Sequence, residues 1–119
     1  MGLRDQIRSA TVGASKVFPS EQATACGQNI EIRQPTLAGR DQIYEKAKDA
    51  KGTFQGARLA AAALIGMCYV PRTDERVFDD ADFDTLVAMP AGGWADDLGN
   101  RCIRLMNGTK EAQEEVEKN

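Results

Sequence analysis

The chain contains no histidine. That removes the side chain best suited to proton transfer near neutral pH, the commonest metal ligand, and every Ser-His or Cys-His nucleophile pair. Three cysteines, a few aspartate clusters and one glycine pair remain. Asp80-Ala81-Asp82-Phe83-Asp84 opens like a calcium loop, with carboxylates at alternate positions. Such a loop then needs glycine at its sixth position and glutamate at its twelfth. Those positions hold Thr85 and Ala91, so the aspartates read as cap and first-turn residues of a helix. Gly92-Gly93 has no strand before it in a βαβ setting and no GK[ST] after it, so it is no phosphate loop. Cys26, Cys68 and Cys102 are odd in number, far apart and outside CxxC spacing. They make neither a disulfide framework nor a zinc site. The carboxylates sit in solvated-looking runs, so no acid–base couple stands out. The chain is read as a non-enzyme, with no catalytic, cofactor or metal residues.

Composition narrows the class further. A chain of 119 residues suits one domain and can bury a core without staples. Hydrophobic residues make up 42% but aromatics only 6%, so the core must come from Leu, Ile, Val, Ala and Met. Fifteen basic residues are dispersed among eighteen acidic ones, and the net charge is −3. That is not the footprint of a nucleic-acid binder. The acidic surplus, at 74–84 and 111–117, reads as solvated surface. Residues 1–15 lack the apolar segment of a signal peptide. The longest apolar run, 59–70, has twelve residues against the roughly twenty of a membrane span. A soluble protein of a reducing cytoplasm is expected, with no nucleic-acid and no membrane partner.

The expected fold is mainly α, a small helical domain with a minor two-stranded β-hairpin near the N-terminus. Residues 1–15 form an arm, 16–108 the helical core domain and 109–119 a charged tail. Leu3, Ile7 and Ala10 fall at helical spacing over 3–10, with Gly13 and Ser15 as stops; so short a helix is marginal alone. Val17-Phe18 and the alternating 29–33 segment are the strand candidates, paired across 20–27 with Ile30 and Ile32 on one face. Thr36 caps a helix carrying the stripe Leu37, Arg40, Ile43, Tyr44, Ala47, closed by Gly52. Thr53 caps the next, which is apolar all round from Leu59, runs to about Tyr69 and stops before Pro71. Val77-Phe78 makes a brief extended contact. Asp79 or Asp80 caps a short helix turning Phe83, Leu86 and Val87 inward. A last helix from Trp94 ends at Asn107-Gly108. The predicted core is Leu59, Leu64, Ile65, Cys68, Phe83, Leu86, Trp94, Leu98, Cys102 and Leu105. Trp94 reads first as a core anchor and second as a partner hot spot.

The run Ile30-Glu31-Ile32-Arg33-Gln34-Pro35-Thr36-Leu37-Ala38-Gly39-Arg40-Asp41 resembles the strand-into-helix entry of tail assembly chaperones of long-tailed (siphovirus-type) bacteriophages. The sequel is similar too: an alanine-rich helix ending in Cys68-Tyr69, a turn, Val77-Phe78, then Asp79-Asp80-Ala81-Asp82. So is Leu105-Met106-Asn107-Gly108-Thr109 leading into Glu114-Glu115-Val116-Glu117-Lys118-Asn119. The resemblance covers about 16–119. It implies a non-enzymatic protein of the host cytoplasm. Such a protein binds the phage tape-measure protein, keeps its apolar helices soluble and helps to recruit the tail-tube protein. Family members are absent from the finished virion, and many are made in two lengths by ribosomal frameshifting. A structural head–tail joining or tail-completion protein, retained in the virion, is the alternative. Homo-oligomerisation is left open. The partner-binding residues expected on physical grounds lie in the two end segments that cannot complete their own burial: Leu3, Ile7, Glu111, Glu114, Glu115 and Val116.

Overall fold

The computed structural model describes residues 2–14 and 18–108. Its elements are α1 (Leu3–Ala14), β1 (Ser20–Ala25), β2 (Gln28–Arg33), α2 (Leu37–Lys46), α3 (Gly56–Met67) and β3 (Cys68–Tyr69), followed by a 3₁₀ turn (Asp80–Asp82), α4 (Phe83–Val87) and α5 (Trp94–Met106). It is mainly α with a small antiparallel sheet. The sheet has three strands in the order β1-β2-β3, not two.

The hairpin differs from its predicted form. β1 occupies 20–25, where the sequence predicts the connecting loop. Phe18 lies outside it, and Val17 falls outside the described residues. The turn is only Cys26-Gly27, with φ of 51° and 76°. Positive φ at both central residues matches the twist of the flanking strands, so a two-residue loop closes the pair and fixes its register. Ala23 then stands opposite Ile30, and Ala25 opposite Gln28. The inward face of β1 is only Ala23 and Ala25, both buried. Two alanines give little β signal, which hid the strand.

The third strand comes from the end of α3. The helix was expected to reach Tyr69, but it stops at Met67 and Cys68 is extended. Val70 precedes Pro71 and so resists helix. Cys68 instead faces Ile32 across the ladder, and Tyr69 faces Glu31. The chain reverses through 70–75, closed by Val70 N–H donating to the Glu75 carbonyl at 2.9 Å. Arg76 then bridges Tyr69, and Val77 N–H donates to the Cys68 carbonyl at 3.0 Å. This is the extended contact expected at Val77-Phe78, begun one residue earlier.

Thr36 caps α2 as expected, its hydroxyl accepting from Gly39 N–H at 2.9 Å. Thr53 does not cap α3. Its N–H, and that of Lys51, donate to the Asp49 carboxylate, so Thr53 belongs to the closed loop between α2 and α3, and the helix begins later, at Gly56. Gln55 is the residue at the cap, without a side-chain cap bond. Asp79 does cap: its carboxylate accepts from Ala81 N–H, and Asp82 accepts from Asp79 N–H, each at 2.9 Å. α1 runs to Ala14, past the expected stop at Gly13.

α3 is the centre of the body. Leu59, Ala61, Ala62, Ala63, Leu64, Ile65 and Met67 are all buried. α2 crosses it where Gly66 meets the Ile43 side chain, and α5 where Gly99 meets Ala60. Ile30 and Ile32 join the same core from the sheet. Of the predicted core, Phe83 and Trp94 are corrected to half-buried positions packed against it. Ala95 and Gly99 occupy the inward face of α5 instead, because only small residues let α3 come this close. In the predicted stripe of α2, Ile43 and Ala47 are buried, while Leu37 remains 75% exposed.

Candidate functional site

The described residues present an exposed helix, two grooves and a set of ion pairs on the sheet. Among the described residues no cluster of three His, Cys, Asp or Glu is placed to hold a metal ion. Cys68 and Cys102 are both fully buried, and Cys26 is exposed. The neighbouring Cys68 thiol, together with burial, pushes the Cys102 thiol far up. It stays protonated and packs as a small hydrophobe.

Leu3 and Ile7 lie four residues apart, and so on one stripe of α1. They are 71% and 55% exposed, and every residue of α1 from Leu3 to Gly13 is classed as exposed. Within the helix, Thr11 Oγ1 donates back to the Ile7 carbonyl at 2.7 Å. α1 is thus a twelve-residue amphipathic helix whose apolar stripe has no cover among the described residues. The other predicted partner-binding residues, Glu111, Glu114, Glu115 and Val116, lie outside the described residues. The two groups are therefore not brought together here.

Two grooves mark the body. One, of about 340 Å³, lies between α2, α3 and the end of the sheet, with Ile43, Ala62, Ile65 and Gly66 as its apolar floor. Arg33, Lys46, Arg76 and Asp74 rim it. Arg33 is a hub: Nε donates to Glu31 Oε1 at 2.5 Å, Nη1 to Asp74 Oδ1 at 3.1 Å, and Nη2 to the Thr73 carbonyl. Its guanidinium also lies 4.3 Å from the Tyr69 ring centroid. The Arg33 guanidinium holds the Glu31 carboxyl below its ordinary range. Sequence reading missed this hub, although Glu31 and Arg33 alternate with Ile30 and Ile32 and so must share the outer sheet face. The other groove, of about 450 Å³, lies between α3, α4 and α5 and is lined largely by small or apolar residues such as Ala57, Ala60, Leu64, Leu86 and Ile103. Phe18, Leu37, Phe54 and Val70 add scattered exposed apolar area.

No helix among the described residues is long and apolar enough to cross a membrane. No protein-family model matches the sequence, and no curated protein matches it. A solved structure does: the tail assembly chaperone of bacteriophage HK97, with a TM-score of 0.51 over 86% of this chain and 98% of that one, at 13% identity. The chain thus shares the fold of a phage tail assembly chaperone.

Proposed function

We propose that this chain is a phage tail assembly chaperone that binds the tape-measure protein and keeps it soluble while the tail is built. The observation that carries the reading is α1, a complete amphipathic helix with Leu3 and Ile7 exposed on its apolar stripe. A tape-measure protein exposes long apolar helices until tube subunits surround it. An amphipathic helix can cover such a surface through i, i+3, i+4 anchors. Glu111, Glu114, Glu115 and Glu117 give the complex net charge and hence solubility, and Val116 adds one apolar contact. A helix of this length gains little stability alone and binds with modest affinity, which suits a protein that must let go when the tail-tube protein arrives. The role is non-enzymatic and belongs in the host cytoplasm.

Co-expression with the tape-measure protein of the same phage, followed by pull-down, tests the reading. The wild-type chain should hold the tape-measure protein in the soluble fraction and co-purify with it. Leu3→Ser with Ile7→Ser should lose most of that effect. A wild-type chain that neither binds nor solubilises overturns the chaperone reading. Recovery of the chain from purified virions favours a head–tail joining or tail-completion protein instead. If the double variant keeps the full effect of the wild type, the surface lies elsewhere than α1.

A further inference from the structure

We propose that the groove between α2, α3 and the sheet is the docking site for an acidic amphipathic helix of a partner protein. The site is separate from α1 and does not depend on the tape-measure reading.

The groove has the shape for a helix. Thr36, Gly39, Ile43 and Lys46 line it at steps of three and four residues, so it follows α2 for about 15 Å. Ala62, Ile65 and Gly66 line it from α3 at similar spacing. Residues so spaced form the ridges between which another helix packs. Ala62 and Gly66 are small enough for a close approach, and Ile43 and Ile65 give the floor its apolar contacts. Apolar area continues past the mouth, where Phe18 and Leu37 of the adjoining hollow are 42% and 75% exposed.

Charge identifies the occupant. Arg33, Lys46 and Arg76 rim the groove, and Arg40 stands in the adjoining hollow. Asp74 is the one carboxylate among the described residues of either lining, and Arg33 already engages it. Lys46 pairs with Asp80. The side chains of Arg40 and Arg76 have no hydrogen-bond or ion-pair partner among the described residues. The groove therefore carries positive charge that its own walls do not match, although the chain as a whole is at −3.

A basic rim over an apolar floor fits a helix whose apolar stripe is flanked by carboxylates. The stripe lies on Ile43 and Ile65, and the carboxylates meet Arg40 and Arg76 in charge-assisted, bidentate hydrogen bonds. Helix α1 of a second copy is the wrong complement, since it carries Arg4 and Arg8 against Asp5. A nucleic-acid backbone would match the charge but leave the isoleucine floor unused.

The probe is a fluorescein-labelled peptide of about fourteen residues, with leucines at helical spacing and glutamates beside them. With the full chain its anisotropy should rise to saturation, and the amide signals of Gly39, Lys46, Gly66 and Arg76 should shift in step. Arg40→Glu with Arg76→Glu should weaken binding about tenfold or more. Lysines in place of the peptide's glutamates should abolish binding to the wild type and restore it to that variant, which an unfolded variant could not show. Leu3→Ser with Ile7→Ser should bind the acidic peptide as the wild type does, so failure here is distinguishable from failure of the α1 reading. No binding by the wild type, equal binding by the charge-reversed variant, or loss of binding in the α1 variant overturns the proposal. Equal shifts at the same amides from a DNA duplex mark a phosphate-binding surface and overturn it as well. Shifts there that grow with protein concentration, without peptide, mean that a second copy fills the groove, which also overturns it.

Discussion

Arg33 ties three parts of the chain together: its own strand through Glu31, the return turn through Asp74 and the Thr73 carbonyl, and Tyr69 through its flat face. The Glu31 carboxyl is held below its ordinary value of 4.5, first by the Arg33 hydrogen bond. The folded protein therefore releases this proton more readily than the unfolded chain does. Stability from Glu31 is fully present above about pH 4.5 and is lost as the pH falls through the lowered folded value. Glu31→Gln should cost about 1 kcal/mol at neutral pH and flatten the acid limb of stability, read from urea melts at several pH values. The cysteines give a second check at this scale. In native buffer a thiol reagent should modify Cys26 alone, and in denaturant all three. Rapid native modification of a second thiol would contradict the burial of Cys68 and Cys102.

Helix α3 and the two helices across it show what small residues do in this fold. A Cβ on Gly99 would lie 3.0 Å from the Ala60 Cβ and 3.4 Å from its Cα, so α3 and α5 would have to part. Gly99→Ala should destabilise by about 1–3 kcal/mol by overpacking, although alanine favours helix over glycine by up to about 1 kcal/mol. Leu64→Ala, at 1% exposure, should lose about 2–5 kcal/mol. Denaturation showing a stable Gly99→Ala protein would mean that the helices have slack. The helices and their caps at Thr36 and Asp79 were readable because periodicity and capping chemistry are local. β1 and β3 were not. Ala23 and Ala25 carry little β signal, and Cys68-Tyr69 is a strand only because Glu31 and Ile32 are there to pair with it. Trp94 looked like an anchor, but the close α3–α5 approach reserves the inner face for Ala95 and Gly99. Leu3 and Ile7 were legible as an uncovered stripe. The groove was not, since it is assembled from residues between Phe18 and Arg76 that only folding brings together.

For the whole molecule, α1 and the body answer to different constraints. The body buries its core through α3, whereas α1 leaves Leu3 and Ile7 in solvent. Leu3→Ser with Ile7→Ser should change unfolding free energy by less than about 0.5 kcal/mol, as surface substitutions usually do. A larger loss would show that the stripe is part of the fold and not kept for a partner. The placement of Trp94 has an optical consequence. This one indole stacks on Phe78, ring centroids 6.3 Å apart, at the first residue of α5. Arg101, which meets Glu21 on the hairpin, is seven residues further on, about 10 Å along the helix. Intrinsic emission therefore reports the corner where α5 begins and is nearly blind to the hairpin, whereas backbone ellipticity sees every helix. Whether the two signals fade together on heating tells whether hairpin and helices melt as one cooperative unit.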